Sequence, residues 1–194
     1  HLLSLQNKLY FGKFKLDVNS AFQNTELVHF AGLNEFELQM KLATLSYETK
    51  LYLPSGRGSE FILGFQGFNQ RNTNINDRET ILLPNATTNN NSVFGLIQVD
   101  VFEKLKLQTG VRYDYKTIES HSVGLPADIA TYRPSLSQSY GSFSGSVGAV
   151  YTLSEGVLLR ANFAAAYRTP NLAELTSNGQ HELRYEIGNP DLVS

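Results

Sequence analysis

The chain of 194 residues contains no cysteine and has a formal net charge of −2, which excludes disulfide bonds and thiolate metal sites. This charge also provides no basic surface for nucleic acid, and no stretch approaches the roughly 18 consecutive apolar residues of a transmembrane helix. The 10 tyrosines and 12 phenylalanines, beside a single methionine and no tryptophan, favour β structure.

Alternation of apolar and polar residues with a period of two runs through the whole chain. The clearest segment is 104–116, in which Leu105, Leu107 and Val111 fall on one face and the charged residues fall on the other. A strand separates such residues completely, whereas a helix would scatter them. In chain order, the alternating segments are 12–22, 36–54, 59–69, 92–102, 104–116, 141–151 and 157–167.

This pattern predicts about seven antiparallel strands and no helix. Segment 36–54 alternates twice, with a change of phase near Ala43–Thr44 that a bulge or a tight turn would produce. Aromatic residues such as Tyr113, Tyr151 and Tyr167 lie near the predicted strand ends, as at the two interfaces of a membrane.

The connections alternate between short and long. Tight links lie at 54–59, 102–104 and 153–156, and long polar links run roughly over 23–35, 69–92, 116–140 and 168–194. In an up-and-down sheet, all the short turns then lie at one edge, which is typical of a transmembrane β-barrel. A soluble sandwich or lipocalin-like barrel alternates in the same way, and the period leaves open which face points inward.

The sequence contains no arrangement of catalytic residues. Segment 141–145 has the glycine spacing of a nucleophile elbow, but its central residue is Phe143 and strand alternation follows it. The four histidines are far apart, and only the pair His181–Glu182 would bind a metal with help from other loops. We therefore expect neither an enzyme nor a cofactor.

Several stretches of the chain carry a resemblance to a known family. "YRTPNLAEL" (167–175), followed by "SNGQH" (177–181) and "RYEIGNPDL" (184–192), resembles a signature of TonB-dependent outer-membrane receptors of Gram-negative bacteria. Segments 64–74, 81–86 and 107–116 agree with that family in order and spacing. The residues that match the signature are Arg168, Pro170, Asn171, Glu174, Asn178, Gly179, His181, Glu186, Asn189 and Asp191.

The resemblance implies an all-β fold of antiparallel up-and-down strands, part of a transmembrane barrel of about 22 strands that surrounds an N-terminal plug. Such receptors import a scarce nutrient, such as a ferric siderophore or another metal chelate, with energy passed on by TonB. The implied partners are outer-membrane lipid, the substrate, and TonB through the plug region. Residues 1–194 show no recognisable plug or final strand, so we expect an internal part of the barrel. Once excised, this part should self-associate through its strand edges.

The resemblance also suggests roles for individual residues. Much of the signature would serve loop architecture, because Pro170, Gly179 and Gly188 set the backbone, and a subset would capture the ligand. His181 and Glu182 leave a zinc-type metal substrate open. The polar residues assigned to the lumen wall, where wetting of the lumen is the simplest role, are Lys106, Gln108, Arg112, Asp114, Arg160 and Asn162.

Two alternatives stand beside the transporter. The first is a structural or pore-forming outer-membrane barrel without TonB coupling, which an upstream plug would exclude. The second is a small soluble barrel that binds an apolar ligand. The second alternative predicts that Leu105, Leu107, Val111 and Tyr113 face the interior of a closed barrel.

Overall fold

The computed structural model describes residues 1–32, 35–56, 58–75, 81–128, 132–181 and 184–193. Eight antiparallel strands form one sheet in sequence order: β1 (Leu2–Phe11), β2 (Phe14–Gly32), β3 (Glu35–Leu53), β4 (Ser59–Asn74), β5 (Ala86–Phe102), β6 (Leu105–Ser120), β7 (Leu136–Ser154) and β8 (Val157–Ala165). A short helix, α1 (Leu172–Thr176), precedes a small hairpin of β9 (Asn178–His181) and β10 (Arg184–Ile187). The predicted all-β, up-and-down architecture is confirmed.

Two elements of the structure were not predicted from the sequence pattern. The large sheet has eight strands instead of about seven, because β1 was not recognised. Its alternation is interrupted by adjacent Leu2 and Leu3 and by Asn7 in the apolar row. The prediction of no helix was wrong as well, since α1 has five residues and is too short to display a period of 3.6.

The short turns lie where the sequence predicted them, and Gly12, with φ of 60°, adds one more between β1 and β2. The long links are shorter than predicted, because β2 to β7 have 16–19 residues and extend into them. The predicted link 23–35 is almost entirely strand. A tilted strand needs only about 9–11 residues to cross a bilayer, so these strands project beyond it on the side of the long links.

The two faces of the sheet differ in chemistry and in curvature. The register places the apolar face of β6, which includes Leu107 and Val111, beside the apolar face of β7. This face is open to the surroundings, since 66% of the surface of Val111 is exposed. The opposite face is concave, because Gln6 of β1 and Arg112 of β6 line one hollow. The apolar face is therefore convex, as in a transmembrane barrel.

The convex face contradicts the soluble-barrel alternative. Leu105, Leu107, Val111 and Tyr113 all lie on it, opposite Arg112 and Asp114, because successive residues of β6 alternate between the two faces. Strands β1 and β8 form the two edges of the sheet and do not pair with each other. The described strands thus form an arc with an apolar outer surface.

Aromatic residues mark both ends of the convex apolar band. At the end with the long links, Tyr113 packs on Phe143 with ring centroids 4.6 Å apart. At the turn end, Phe102 packs edge-on against Tyr151, which pairs with Leu105. The rise from Leu105 to Tyr113, which is level with Phe143, is roughly 20 Å at about 3.3 Å per residue and a tilt of about 40°, close to the apolar band of about 25 Å in a membrane barrel.

The change of phase in β3 has a tertiary cause. The strand runs unbroken through Ala43–Thr44, and the register shifts of the β2–β3 pair lie between residues 29 and 32. On the concave side of the same strand, Met40 clusters with Leu82 of the 81–85 loop, and Leu42 packs against this cluster. The apolar side of β3 therefore switches because loop residues, instead of water, cover its concave face at this height.

The core of the molecule lies at the end of the sheet with the long links. One cluster joins Met40 to Leu82, and a second joins Ile118, Tyr140 and Leu175. Both lie on the concave side, so the long links fold inward over the hollow. No helix within the described part of the chain has the length and apolar content to cross a membrane.

Candidate functional site

Arg112 is the centre of a polar network on the concave face. Its Nε and Nη2 donate to the Asp114 carboxylate at 2.7 and 2.8 Å, and Nη2 also donates to Ser92 Oγ at 2.7 Å. With the amide oxygen of Gln66 turned toward the guanidinium, this oxygen accepts from Nη1 at 2.8 Å. The network therefore links β4, β5 and β6, and the charge of Arg112 is neutralised within it.

The wall of the hollow below the long links is mixed, with polar side chains set among apolar surface. Two adjoining volumes of about 450 and 510 Å³ share Glu48, Gln66 and Arg112 in their walls. Lys50 pairs with Glu48 at 2.7 Å in this wall, and Lys106 pairs with Asp100 at 3.1 Å outside it, nearer the short turns. Such a surface suits a hydrated ligand path or a polar partner.

The structure brings the six predicted lumen residues onto one face. Lys106 lies in one row with Val150 and Arg160, and Gln108 lies in the next row with Gly148 and Asn162. Arg112 and Asp114 follow on the same face of β6, since residues two apart point to the same side. These rows belong to the concave face.

Four signature residues build the start of α1. The side chain of Asn171 accepts from the Glu174 amide at 2.9 Å, and Glu174 Oε2 accepts from the Asn171 amide at 2.9 Å, which together form a capping box. Arg168 donates to Glu174 Oε1 at 2.6 Å, and this guanidinium, followed by the Asn171 amide, lowers the pKa of Glu174. The carbonyl of Pro170 accepts from Lys116 Nζ at 2.7 Å.

The signature segment 188–191 folds back on α1. The amide of Gly188 donates to the Ser177 carbonyl, and that of Asn189 donates to the Glu174 carbonyl, both at 2.7 Å. Asn189 Oδ1 in turn accepts from the Asp191 amide at 3.0 Å. A Cβ on Gly188 would lie 2.5 Å from Thr176 N, so only glycine fits.

The β9–β10 hairpin uses three more signature residues. Asn178 Oδ1 accepts from the Tyr185 hydroxyl at 2.9 Å, and Gly179 pairs with Glu186. The backbone of His181 belongs to β9, but its side chain and Glu182 lie outside the described residues. The metal site therefore stays a prediction, and the described residues contain no group of three or more acidic or histidine side chains that would bind a metal.

The 166–193 loop is attached to the concave face by main-chain hydrogen bonds, in addition to the packing of Leu175. Gln138 donates to the Pro190 carbonyl at 3.2 Å, and the Tyr140 hydroxyl donates to the Leu192 carbonyl at 3.1 Å. These donors and Lys116 lie in the inward rows of β6 and β7, and the strand period would have located them. The described contacts of the signature are thus chiefly architectural.

Arg133 is a further residue that the sequence analysis missed. Its guanidinium donates to the carbonyls of Leu82 at 2.9 Å and Thr176 at 3.1 Å, and to that of Ile81. It therefore connects the three long links that cover the hollow. No pattern identifies Arg133, because it lies in an irregular segment and its acceptors are main-chain atoms far away in sequence.

A convex apolar face between aromatic belts, a polar concave face, and long links gathered at one end define a protein of the outer-membrane β-barrel class. The family model described as TonB dependent receptor-like, beta-barrel, matches residues 3–193, and the chain belongs to this family of outer-membrane receptors and transporters of Gram-negative bacteria. No curated protein and no solved structure gives a significant match. The family is not one of enzymes.

Proposed function

We propose that the chain forms part of the barrel of an active outer-membrane transporter, which captures a scarce nutrient and imports it with energy supplied through TonB. A ferric siderophore or another metal chelate is the expected substrate class. The observation that supports this proposal most is the inward fold of the family signature. The loop of residues 166–193 lies on the concave face through Gln138 and Tyr140, above a hollow whose wall includes Glu48, Gln66 and Arg112.

Under this proposal, residues 1–194 are an internal segment of a longer receptor whose plug contacts TonB. The polar residues of the concave face form part of the lumen wall. Arg112 and Asp114 neutralise each other there, so they shape the wall, whereas Arg160 and Asn162 are exposed on β8 and are available to a ligand or a partner. Reading the coding region on both sides tests this arrangement, because start and stop codons close to these residues would contradict it.

The transport itself is tested by uptake in the source bacterium. Deletion of the gene should abolish the uptake of one class among 55Fe-labelled catecholate, hydroxamate and citrate chelates. Deletion of TonB in the otherwise unchanged strain should abolish the same uptake. Uptake that needs this gene but persists without TonB would instead establish the passive pore, and uptake that needs neither would remove both functions.

A metal ion as the substrate is the narrower possibility, and it depends on the loop that contains His181 and Glu182. The variants His181→Ala and Glu182→Gln should reduce uptake of zinc if the pair binds the ion, since imidazole and carboxylate are zinc ligands. Normal uptake of every trial metal by both variants would remove the zinc hypothesis. The chelate hypothesis would remain.

A further inference from the structure

Arg133 lies at the meeting point of three loops, which we call the 81–85, 121–135 and 166–193 loops. It belongs to the second, and its backbone is fixed by paired hydrogen bonds of 2.9 Å with Val123. From there the guanidinium donates to Ile81 and Leu82 on one side and to Thr176 on the other. A single side chain therefore joins all three loops.

Other contacts converge on the same place. The carbonyl of Leu82 accepts from Arg133 and also from the Asn178 amide at 3.2 Å. The side chain of Leu82 packs on Met40 of the sheet. The amide of His121 donates to the Asn85 carbonyl at 2.9 Å. Leu82 is thus a shared contact. Its carbonyl accepts hydrogen bonds from both of the other loops, and its side chain packs against the sheet.

The electrostatics of Arg133 favour concerted loss of these contacts. The guanidinium is half-buried, and within the described ranges its hydrogen-bond acceptors are main-chain carbonyls and its buried Nε has no acceptor. A charge removed from water is costly unless hydrogen bonds satisfy it. If one loop withdraws its carbonyl, water reaches and hydrates the guanidinium, and burial then no longer favours its contacts with the other loops.

We propose that Arg133 is a positioning residue that couples the three loops, so that they open and close over the concave face as one unit. The planar guanidinium suits this role because its fixed fork reaches several acceptors at once, which a lysine ammonium on a single nitrogen does not. The coupling is independent of the substrate and of TonB. It concerns only how the cover of the hollow moves.

Hydrogen–deuterium exchange on the complete gene product in detergent tests the coupling. In Arg133→Gln, exchange should accelerate about tenfold or more at the amides of His121, Ser177 and Asn178, since hydrogen bonds to a charged group are lost. The strands should keep their protection. The control Gln138→Leu removes one contact to Pro190 and should accelerate exchange only in residues 188–193.

Three results would overturn the proposal. The first is acceleration in Arg133→Gln that stays within the 121–135 loop, because the other loops would then be independent. The second is equal acceleration throughout β5 and β6, because the residue would then serve the whole fold. The third comes from Arg133→Lys, which should also accelerate exchange in at least one neighbouring loop. Wild-type exchange in this variant would contradict the role of the guanidinium fork.

Discussion

The replacement Gly188→Ala should release segment 184–193 from α1. The added Cβ would lie 2.5 Å from Thr176 N, 2.6 Å from Leu175 C and 2.8 Å from Ser177 N. All three are backbone atoms, so a change of rotamer does not relieve the contact. Ordinary contact begins near 3.4 Å, and the segment would therefore have to move by about 0.9 Å.

This movement sets the magnitude of the effect. The hydrogen bonds from Gly188 to Ser177 and from Asn189 to Glu174 are both 2.7 Å long, and such a shift would stretch them to about 3.6 Å, beyond hydrogen-bond range. Each bond contributes about 0.5–1.5 kcal/mol, and overpacking costs about 1–3 kcal/mol. We expect local opening to become easier by at least about 2 kcal/mol, which is roughly 30-fold in exchange rate.

The assay is hydrogen–deuterium exchange of the peptides that cover 184–193, in the complete gene product. The matched control is Gly156→Ala, because a Cβ at Gly156 meets nothing within 4 Å and this turn lies at the opposite end of the sheet. If Gly188→Ala exchanges like Gly156→Ala and like the wild type, the close backbone approach does not stabilise the loop. The reasoning would then be refuted.

Three further predictions concern the helix cap, the convex face and the sheet edges. Arg168 and the Asn171 amide lower the pKa of Glu174, so the capping box should stabilise α1 fully above pH 4.5, the ordinary pKa of a glutamate. This stabilisation should be lost as the pH falls through the lowered pKa. Hydrogen–deuterium exchange in α1 should show this pH dependence in the wild type and should not show it in Glu174→Gln. Val111→Arg should destabilise the membrane-inserted receptor by roughly 1–2 kcal/mol in urea unfolding, because Val111 lies between the midplane and the aromatic belt at Tyr113. Gln108→Arg on the concave face should have little effect, and equal effects would contradict the assignment of the faces. The 194-residue chain expressed alone should sediment as an oligomer or aggregate, since β1 and β8 leave unpaired edges, and a stable monomer would count against this.

The sequence by itself determined seven of the eight strands of the large sheet, the separation of their two faces, and the family. A period of two has its origin in local geometry, so residues such as Leu107 and Gln108 separate onto opposite faces whatever surrounds them. The short turns were equally readable, and the signature at 167–192 identified the family before the fold was known. These features depend on neighbours in the chain and are written there directly.

Only the tertiary structure decided the curvature and the packing of the long links. The period of two alone did not show that Val111 lies on the convex face, because the same alternation would result if the sheet curved in the opposite direction. The change of phase in β3 looked like a local defect, but its cause is Leu82, distant in sequence, on Met40. The role of Arg133 could not be predicted from the sequence for the same reason. Its acceptors are main-chain carbonyls, which every residue possesses, and only the fold determines which of them lie close to it.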